Sequence, residues 1–258
     1  STTSGTLKVL PTGPTITYYV RGEGACVTPG SCMQTGAITV TTAPSMSGLQ
    51  QRPGSGYSLT LNGSNNSVNV PYSANLTLTD FTVSAWVKTT QSAAYARVVT
   101  KPVGGGQNYS LNIHNGKAQI RFDQAVGRQA ESSTSVNDGR WHHIAGVFDD
   151  AGNTLKIYVD GFLEQTTAVP VSPITGTEGL FIGCFNNAGG AYFDGEIDEV
   201  SVFSAPLSQT EIRDGLCKKI TSSHPQYCKL EAYYRFDKNS GSTAALNSPI
   251  PPTAFRPK

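Results

Sequence analysis

From Tyr57 onward the chain is a succession of short runs of β-forming residues, interrupted at close intervals by Gly, Asn, Asp and Pro. Helical periodicity is nearly absent. The pattern predicts strands at 57–62, 67–70, 81–88, 96–101, 108–114, 117–123, 141–149, 154–160, 179–185 and 192–203. Many short strands joined by tight turns form two facing antiparallel sheets. The sequence therefore predicts an all-β fold, a two-sheet antiparallel jelly-roll sandwich.

One hairpin defines the two faces of a predicted sheet. Asn115-Gly116 separates two alternating runs, and both central positions of a two-residue turn need a positive φ. Side chains on a strand alternate between faces. The expected core side carries Tyr109, Leu111, Ile113, Ala118, Ile120 and Phe122, and the expected polar side carries Ser110, Asn112, His114, Gln119, Arg121 and Asp123.

The end of the predicted sandwich is marked by the run from Phe193 to Ile212. It contains a strand, a break at Ala205-Pro206, and one short helix that begins with the capping box Ser208-x-x-Glu211. Further on, residues 230–237 resemble residues 16–22 in composition. Either that last strand packs beside the first one in a single sheet, or residues 230 onward begin another module of a tandem array.

Length and charge favour a single domain that acts outside the cell. A chain of 258 residues can form one β sandwich, so we expect a linker at 1–15, one domain at 16–248 with its motif core at 57–213, and a Pro-rich exit tail at 249–258. The net charge is +1, with scattered Lys and Arg, which argues against a nucleic-acid partner. No apolar run is long enough for membrane insertion. The low charged fraction, 14%, and 27 Gly are typical of extracellular β proteins.

The five cysteines predict two local disulfides and one thiol. Cys26–Cys32 and Cys217–Cys228 would each close a short loop that cannot hold itself by burial. Cys184 lies in an apolar strand without a neighbouring His, so we predict a buried free thiol rather than a nucleophile.

Four motifs in order carry a family resemblance: residues 81–88 (FTVSAWVK), 138–149 (DGRWHHIAGVFD), 155–161 (LKIYVDG) and 195–200 (GEIDEV), followed by Leu207-Ser208. Together they resemble the laminin-G-like, concanavalin-A-like lectin/glucanase family. The resemblance implies a jelly roll that is secreted or displayed at the cell surface. It also implies binding of glycans or protein partners, often with one structural Ca²⁺. Within this fold Trp86 and Trp141 are expected to pack in the core rather than stack on sugar.

The calcium ligands implied by the resemblance are Asn62 and Asp198. In such domains the metal joins an early Asp-Gly turn to an Asp of the closing strand. Here the early turn is Asn62-Gly63, and Asn supplies a carbonyl oxygen without the formal charge. The alternative is that Asp198 only hydrogen-bonds backbone of the first turn.

The same closing strand raises the question of glycosidase activity. Related β-glucanases use Glu-x-Asp-x-(x)-Glu, and retention needs two carboxyl groups about 5 to 5.5 Å apart. Glu196 and Asp198 supply the first half, but the acid/base positions hold Val200 and Ser201, and strand alternation directs Glu199 to the other face. His142 and His143 are adjacent, so they do not form a metal pair on one face, and His143 is expected to be packed. We therefore predict no enzyme activity.

The sequence is best interpreted as a non-catalytic carbohydrate-binding module of a larger adhesin or cell-surface protein, with a glycan, a glycoconjugate or a protein as partner. The alternative is a structural or protein-binding spacer. Planar amide and guanidinium groups suit sugar hydroxyls, and Tyr rings can stack on sugar. The predicted ligand-binding residues are Arg97, Asn112, His114, Arg121 and Asp123 on the polar face, with Asn186, Asn187 and Tyr192 in the adjoining loop.

Overall fold

The computed structural model describes residues 57–123, 125, 127–186, 190–216 and 218–236, together with the backbone of two short strands near the start. The chain forms two compact units, Ser1–Gln50 and Gln51–Lys258. In the first unit, β1 (Tyr19–Val20) pairs antiparallel with β2 (Met33–Gln34). The predicted linker, the Cys26–Cys32 disulfide, Cys217 and the exit tail lie outside the described residues, so these expectations stay predictions.

The second unit is a sandwich of two antiparallel sheets. A seven-stranded sheet has the order β12-β11-β10-β5-β14-β15, with β3 also paired to β14, and a six-stranded sheet has the order β4-β13-β6-β7-β8-β9. The strands are β3 (Leu59–Asn62), β4 (Val68–Val70), β5 (Phe81–Lys88), β6 (Ala96–Val103), β7 (Gly106–His114), β8 (Lys117–Arg121), β9 (Gln129–Ser135), β10 (Trp141–Asp149), β11 (Thr154–Val159), β12 (Phe162–Ala168), β13 (Leu180–Ile182), β14 (Asp194–Phe203) and β15 (Leu230–Tyr234). The predicted fold class is confirmed.

The main core lies between the sheets and is formed by alternate residues of the central strands. Aromatic rings join the layers: Phe81 lies 5.3 Å from Tyr109, and Phe122 lies 4.8 Å from Phe148. Gly146 on β10 lets the sheets approach, because a Cβ there would lie 2.3 Å from Cγ1 of Ile120 on β8. Close packing of this kind leaves little room for added atoms.

The β7–β8 hairpin confirms the prediction for both of its faces. Asn115 and Gly116 have φ values of 50° and 82°, as a two-residue hairpin turn requires. Within the sandwich, strands β9 and β12 were not predicted. Most side chains of β12 are exposed and β9 is largely Ser, Thr and Gln, so neither shows the apolar alternation that identifies a half-buried strand.

The closing segment forms the predicted helix and then adds one more strand. Helix α1 (Gln209–Gly215) has Ser208 as its N-cap, with the full capping box to Glu211. A second apolar cluster packs this helix, through Ile212, against the outer side of the seven-stranded sheet. Strand β15 pairs with β14, which places residues 230–234 inside this sandwich. Two single-turn 3-10 helices lie at Ala74–Leu76 and Tyr227–Lys229.

Both tryptophans are buried, but Trp86 does not lie between the sheets. Its neighbours Ala85 and Val87 belong to the inter-sheet core, so alternation turns Trp86 to the outer side of the seven-stranded sheet. There its ring lies 5.5 Å from that of His143. Trp141 is also outside the inter-sheet cluster. Both tryptophans are therefore buried as predicted, but neither lies in the core between the two sheets.

Among the described residues, no helix has the length and apolar character needed to cross a membrane.

Candidate functional site

The outer side of the six-stranded sheet carries a contiguous set of polar side chains. Strand pairing places Arg97 opposite Asn112, Asn112 opposite Gln119, and Ser110 opposite Arg121. These five residues, which we call the arginine patch, alternate along β6, β7 and β8 with residues of the core. The fold therefore brings together side chains that are up to 24 residues apart in the chain.

Hydrogen bonds fix one half of the arginine patch. Arg97 Nη1 donates to Ser110 Oγ at 3.0 Å and to Asn112 Oδ1 at 2.9 Å. Asn112 Nδ2 lies 3.5 Å from Gln119 Oε1. Asn112, Gln119 and Ser110 are fully buried and Arg97 is 8% exposed. The sheet thus holds the Arg97 guanidinium in one orientation.

The guanidinium of Arg121 has fewer hydrogen bonds than that of Arg97. Arg121 is 9% exposed, and its buried Nε has no hydrogen-bond partner within the described part of the chain; the same is true of Arg97 Nε. Neither arginine takes part in the ion pairs that the described residues form. Burial, followed by the positive charge of Arg121, lowers the pKa of Arg97 well below its usual value, to about 10.

Aromatic rings frame the two guanidinium groups. The Tyr95 ring lies 5.2 Å from Arg97 Cζ and 5.5 Å from Arg121 Cζ, and Phe185 lies 5.1 Å from Arg97 Cζ. These are cation–π distances. Tyr95 also lies 4.7 Å from the ring of His114 and is 37% exposed. Tyr95 therefore connects the arginine patch to solvent.

The loop between β13 and β14 adjoins the patch. The backbone N–H of Arg97 donates to the carbonyl of Ala191 at 2.9 Å, which brings the predicted Tyr192 beside β6. Asn186 lines a neighbouring cavity of about 360 Å³ together with Phe185, Phe181 and the Gly104–Gly106 turn. Asn187 lies outside the described residues.

The eight predicted ligand-binding residues are thus only partly brought together. Arg97, Asn112 and Arg121 form the centre, and His114 joins them through Tyr95. Asp123 lies beyond the end of β8, where its carboxylate pairs with Arg128 and its backbone N–H donates to the carbonyl of Gln107 at 2.7 Å.

Sequence reasoning missed Tyr95, Phe185 and the contribution of Gln119 to the site. Tyr95 comes from a loop that lacks periodicity, so no pattern indicated its direction. Gln119 was placed on the polar face by alternation, and its register opposite Asn112 was the available signal.

The residues implied for calcium do not fit one metal site. Asn62 lies opposite Asp194 on β14, and Asp198 is four positions further along, roughly 13 Å at the rise of a strand. Asn62 Oδ1 already accepts the backbone N–H groups of Ser64, Asn65 and Asn66 at 3.1 to 3.3 Å. Within the described residues, no group of three or more His, Cys, Asp or Glu could hold a metal ion. Calcium binding through this pair is therefore not supported by the geometry.

The carboxylates of β14 differ from the prediction in one respect. A β-bulge between Asp198 and Ser201 gives Glu199 a φ of 49°, and its carboxylate accepts a hydrogen bond from Tyr233 on the outer side of the sheet. The prediction that Glu199 points to the opposite face from Glu196 and Asp198 is wrong for that reason. Asp198 is 1% exposed, and Glu196 is bound by Lys88 at 2.9 Å and by Ser58 at 2.7 Å. The three acids do not line an open cleft.

The adjacent histidines have opposite environments. His143 is buried, which confirms the predicted packing, and burial lowers its pKa to about 4 despite the charge of Asp160. For His142, burial is outweighed by hydrogen bonds to Asp160 at 2.9 Å and Asp138 at 3.1 Å, and its pKa is raised. Cys184 is a buried free thiol, as predicted, and burial raises its pKa.

Comparison with known proteins agrees with the observed fold. The model of the concanavalin A-like lectin/glucanases superfamily, laminin G type, matches residues 62–213, which is more than half of the chain. A rat (Rattus norvegicus) protein named "Sushi, von Willebrand factor type A, EGF and pentraxin domain-containing protein 1" is 24% identical over 158 residues, 58% of this chain. The chain spans 4% of the length of that relative.

Two solved structures show the same fold. A candidate carbohydrate-binding protein from Bacteroides ovatus ATCC 8483 superposes with a TM-score of 0.58 at 16% identity, over 73% of this chain and 56% of that chain. Domain 4 of AbnA, an extracellular GH43 arabinanase of Geobacillus stearothermophilus solved with arabinotriose, superposes with a TM-score of 0.50 at 20% identity, over 62% and 76% of the two chains.

Proposed function

We propose that this chain, which belongs to the concanavalin A-like lectin/glucanases superfamily, is a non-catalytic carbohydrate-binding module whose ligand contacts the arginine patch. The observation that carries the proposal is a pre-formed set of planar hydrogen-bonding groups beside a part-exposed aromatic ring, Tyr95. The similarity of the fold to that of an arabinanase domain solved with arabinotriose supports it.

The chemistry of the patch suits sugar hydroxyls. Guanidinium groups are donors only, and Arg97 and Arg121 each keep a small exposed fraction, so the patch offers donors to the oxygens of a sugar. The exposed part of the Tyr95 ring offers an apolar face for the C–H side of a sugar. Because Arg97 and Asn112 are already bonded to each other, ligand binding would cost little side-chain entropy.

Among the described residues of this face, we identify no pair of carboxylates arranged for catalysis. Glycoside hydrolysis needs two carboxylates that flank the bond. On the six-stranded sheet, Glu131 is engaged by His114 and by Gln119 Nε2, the latter at 3.0 Å, and Asp123 is paired with Arg128. We therefore assign recognition rather than bond cleavage to the patch.

We further propose that the module acts outside the cell, as part of an adhesin or another surface protein that a protein partner can also contact. The support is the low charged fraction of the chain and a match that covers a small part of a large multidomain relative.

Binding to a glycan array tests the proposal, with wild type compared with Tyr95→Ala and Asn112→Ala. We expect a defined set of glycans to bind wild type and to lose signal with both variants. Tyr57→Ala, which removes another exposed tyrosine from the region of β3, is the matched control and should bind as wild type does. No glycan signal for wild type would refute carbohydrate binding and favour a protein-binding spacer.

A further inference from the structure

Two cations of the arginine patch are buried without a counter-ion from the described part of the chain. Arg97 and Arg121 are each more than nine-tenths buried, and both interact with the same Tyr95 ring. Arginine is almost never buried to this extent unless it is paired with an acid. The two charges also repel, because Arg121 is one cause of the depressed pKa of Arg97.

The acids closest in register do not supply the missing charge. Glu131, opposite Gln119, is engaged by His114 and Gln119. Asp123, two positions beyond Arg121, pairs with Arg128. Each of these carboxylates thus has a partner of its own, and the ion pairs among the described residues leave out both arginines.

The geometry of the unused donors indicates what is missing. Arg97 uses Nη1 for Ser110 and Asn112, while the Nε atoms of Arg97 and Arg121 are buried without partners. A guanidinium presents Nε–H and Nη–H as a planar fork that matches two oxygens of one anion. Two such forks beside one aromatic ring would suit a planar or tetrahedral oxyanion, because attraction between opposite charges is strong in a low-dielectric setting.

We propose that Arg97 and Arg121 bind the oxyanion of an acidic glycan, either the carboxylate of a uronic or sialic acid or a sulfate ester. This inference rests on the proposed function, and it names the class of sugar that the patch selects. The part-exposed ring of Tyr95 would contact the rest of the sugar, while the buried Asn112 holds Arg97 in position. Acidic sugars are then preferred over neutral ones because only they neutralise the two buried charges.

The test uses four immobilised probes: a glucuronic-acid disaccharide, its methyl ester, the neutral glucose analogue and a sulfated disaccharide. The methyl ester keeps the shape of the acid and removes its charge. We expect the free acid or the sulfate to bind roughly tenfold to hundredfold more tightly than the ester and the neutral sugar, as for hydrogen bonds to charged groups. The affinity should also fall as salt rises from about 50 to about 500 mM.

Three variants accompany the probes. Arg121→Met removes one fork, Arg121→Lys keeps the charge without the planar fork, and Arg140→Gln removes an exposed arginine of a different region as a control. We expect acid binding to be lost in Arg121→Met, weakened in Arg121→Lys and unchanged in Arg140→Gln. Circular dichroism melts of each variant check folding, and Arg121→Lys provides the result if Arg121→Met does not fold.

The outcomes separate the two proposals. If the acid, its ester and the neutral sugar bind equally well, carbohydrate binding stands and the oxyanion inference is overturned. If the acid binds but Arg121→Met and Arg121→Lys bind it as wild type does, the oxyanion lies elsewhere and the inference is again overturned. If neither these probes nor the neutral glycans of the array bind, the proposed function fails first.

Discussion

Replacing Arg121 by methionine is expected to raise the stability of the protein while it removes ligand affinity. The substitution keeps a long, flexible side chain and deletes a buried cation that has neither a carboxylate nor a hydrogen-bond partner at Nε in the described structure. Replacement of buried charges by apolar side chains of similar volume is often neutral or stabilising. A binding residue that costs stability is typical of functional sites.

The magnitude follows from the environment of the neighbouring arginine. Burial and, next, the positive charge of Arg121 lower the pKa of Arg97 to about 10, so Arg121 disfavours the charged form of its neighbour. Removal of Arg121 relieves this repulsion and forfeits a cation–π contact with Tyr95 worth about 0.5 to 1 kcal/mol. Burial of the methionine side chain adds a gain of similar size. The net expectation is a rise of about 1 kcal/mol in the free energy of unfolding.

Urea unfolding followed by tryptophan fluorescence measures this difference, provided that the m-value is unchanged. Arg140→Met is the matched control, because this side chain is 68% exposed, and we expect a change within about 0.5 kcal/mol. A loss of more than about 1 kcal/mol in Arg121→Met would show that the guanidinium is a structural element, and the argument for a missing anion would be refuted.

Three further predictions concern the fold. Gly146→Ala should lower the free energy of unfolding by about 1 to 3 kcal/mol, because the new Cβ would lie 2.3 Å from Ile120, and Ile120→Val should restore part of it, as measured by urea unfolding. Ser208→Ala should cost about 1 kcal/mol through loss of the helix cap, measured in the same way. Asp160 raises the pKa of His142 above its unfolded value of 6.5, against the effect of burial. Protonated His142 therefore stabilises the fold fully below pH 6.5, and this stabilisation is lost as the pH rises through the folded pKa. His142→Gln should therefore cost more near pH 5.5 than near pH 8.5 in paired melts.

Each of these has a clear contrary result. Gly215→Ala is the matched control for Gly146→Ala, since a Cβ at that helix position has open space around it, and equal effects of both would remove the role of sheet contact. An unchanged melt for Ser208→Ala would mean that packing alone holds α1. A cost of His142→Gln that does not vary with pH would mean that the imidazole acts only through packing.

Alternation made the central strands of the fold predictable. Strands such as β5, β7 and β10 bury one face in the inter-sheet core, so core-facing apolar residues recur at every second position of their sequence. The edge strand β12 buries little, and its sequence therefore contains no such period. The same alternation, read one step further, places Trp86 on the outer side of its sheet, because Ala85 and Val87 are the inward pair.

The site was predictable to the extent that it depends on the hairpin. Asn112 and Arg121 followed from the Asn115-Gly116 turn, which fixes the register of β7 and β8. The position of Tyr95 depends on a loop, and that of Glu199 on a bulge, and neither leaves a periodic trace in the sequence. The burial of Arg97 and Arg121 arises from tertiary packing. The sequence predicts two exposed arginines, and only the structure shows that both are buried beside the Tyr95 ring.

The most direct test of the central claim observes the two guanidinium groups themselves. In ¹H–¹⁵N spectra, the Nε–H signals of Arg97 and Arg121 are followed while the best ligand from the glycan array is added, with Arg140 as the reference. Both signals should move in a saturable way with one dissociation constant, while that of Arg140 stays in place. If the glycan binds with both buried signals unmoved, recognition occurs on another surface and the arginine patch is not the binding site.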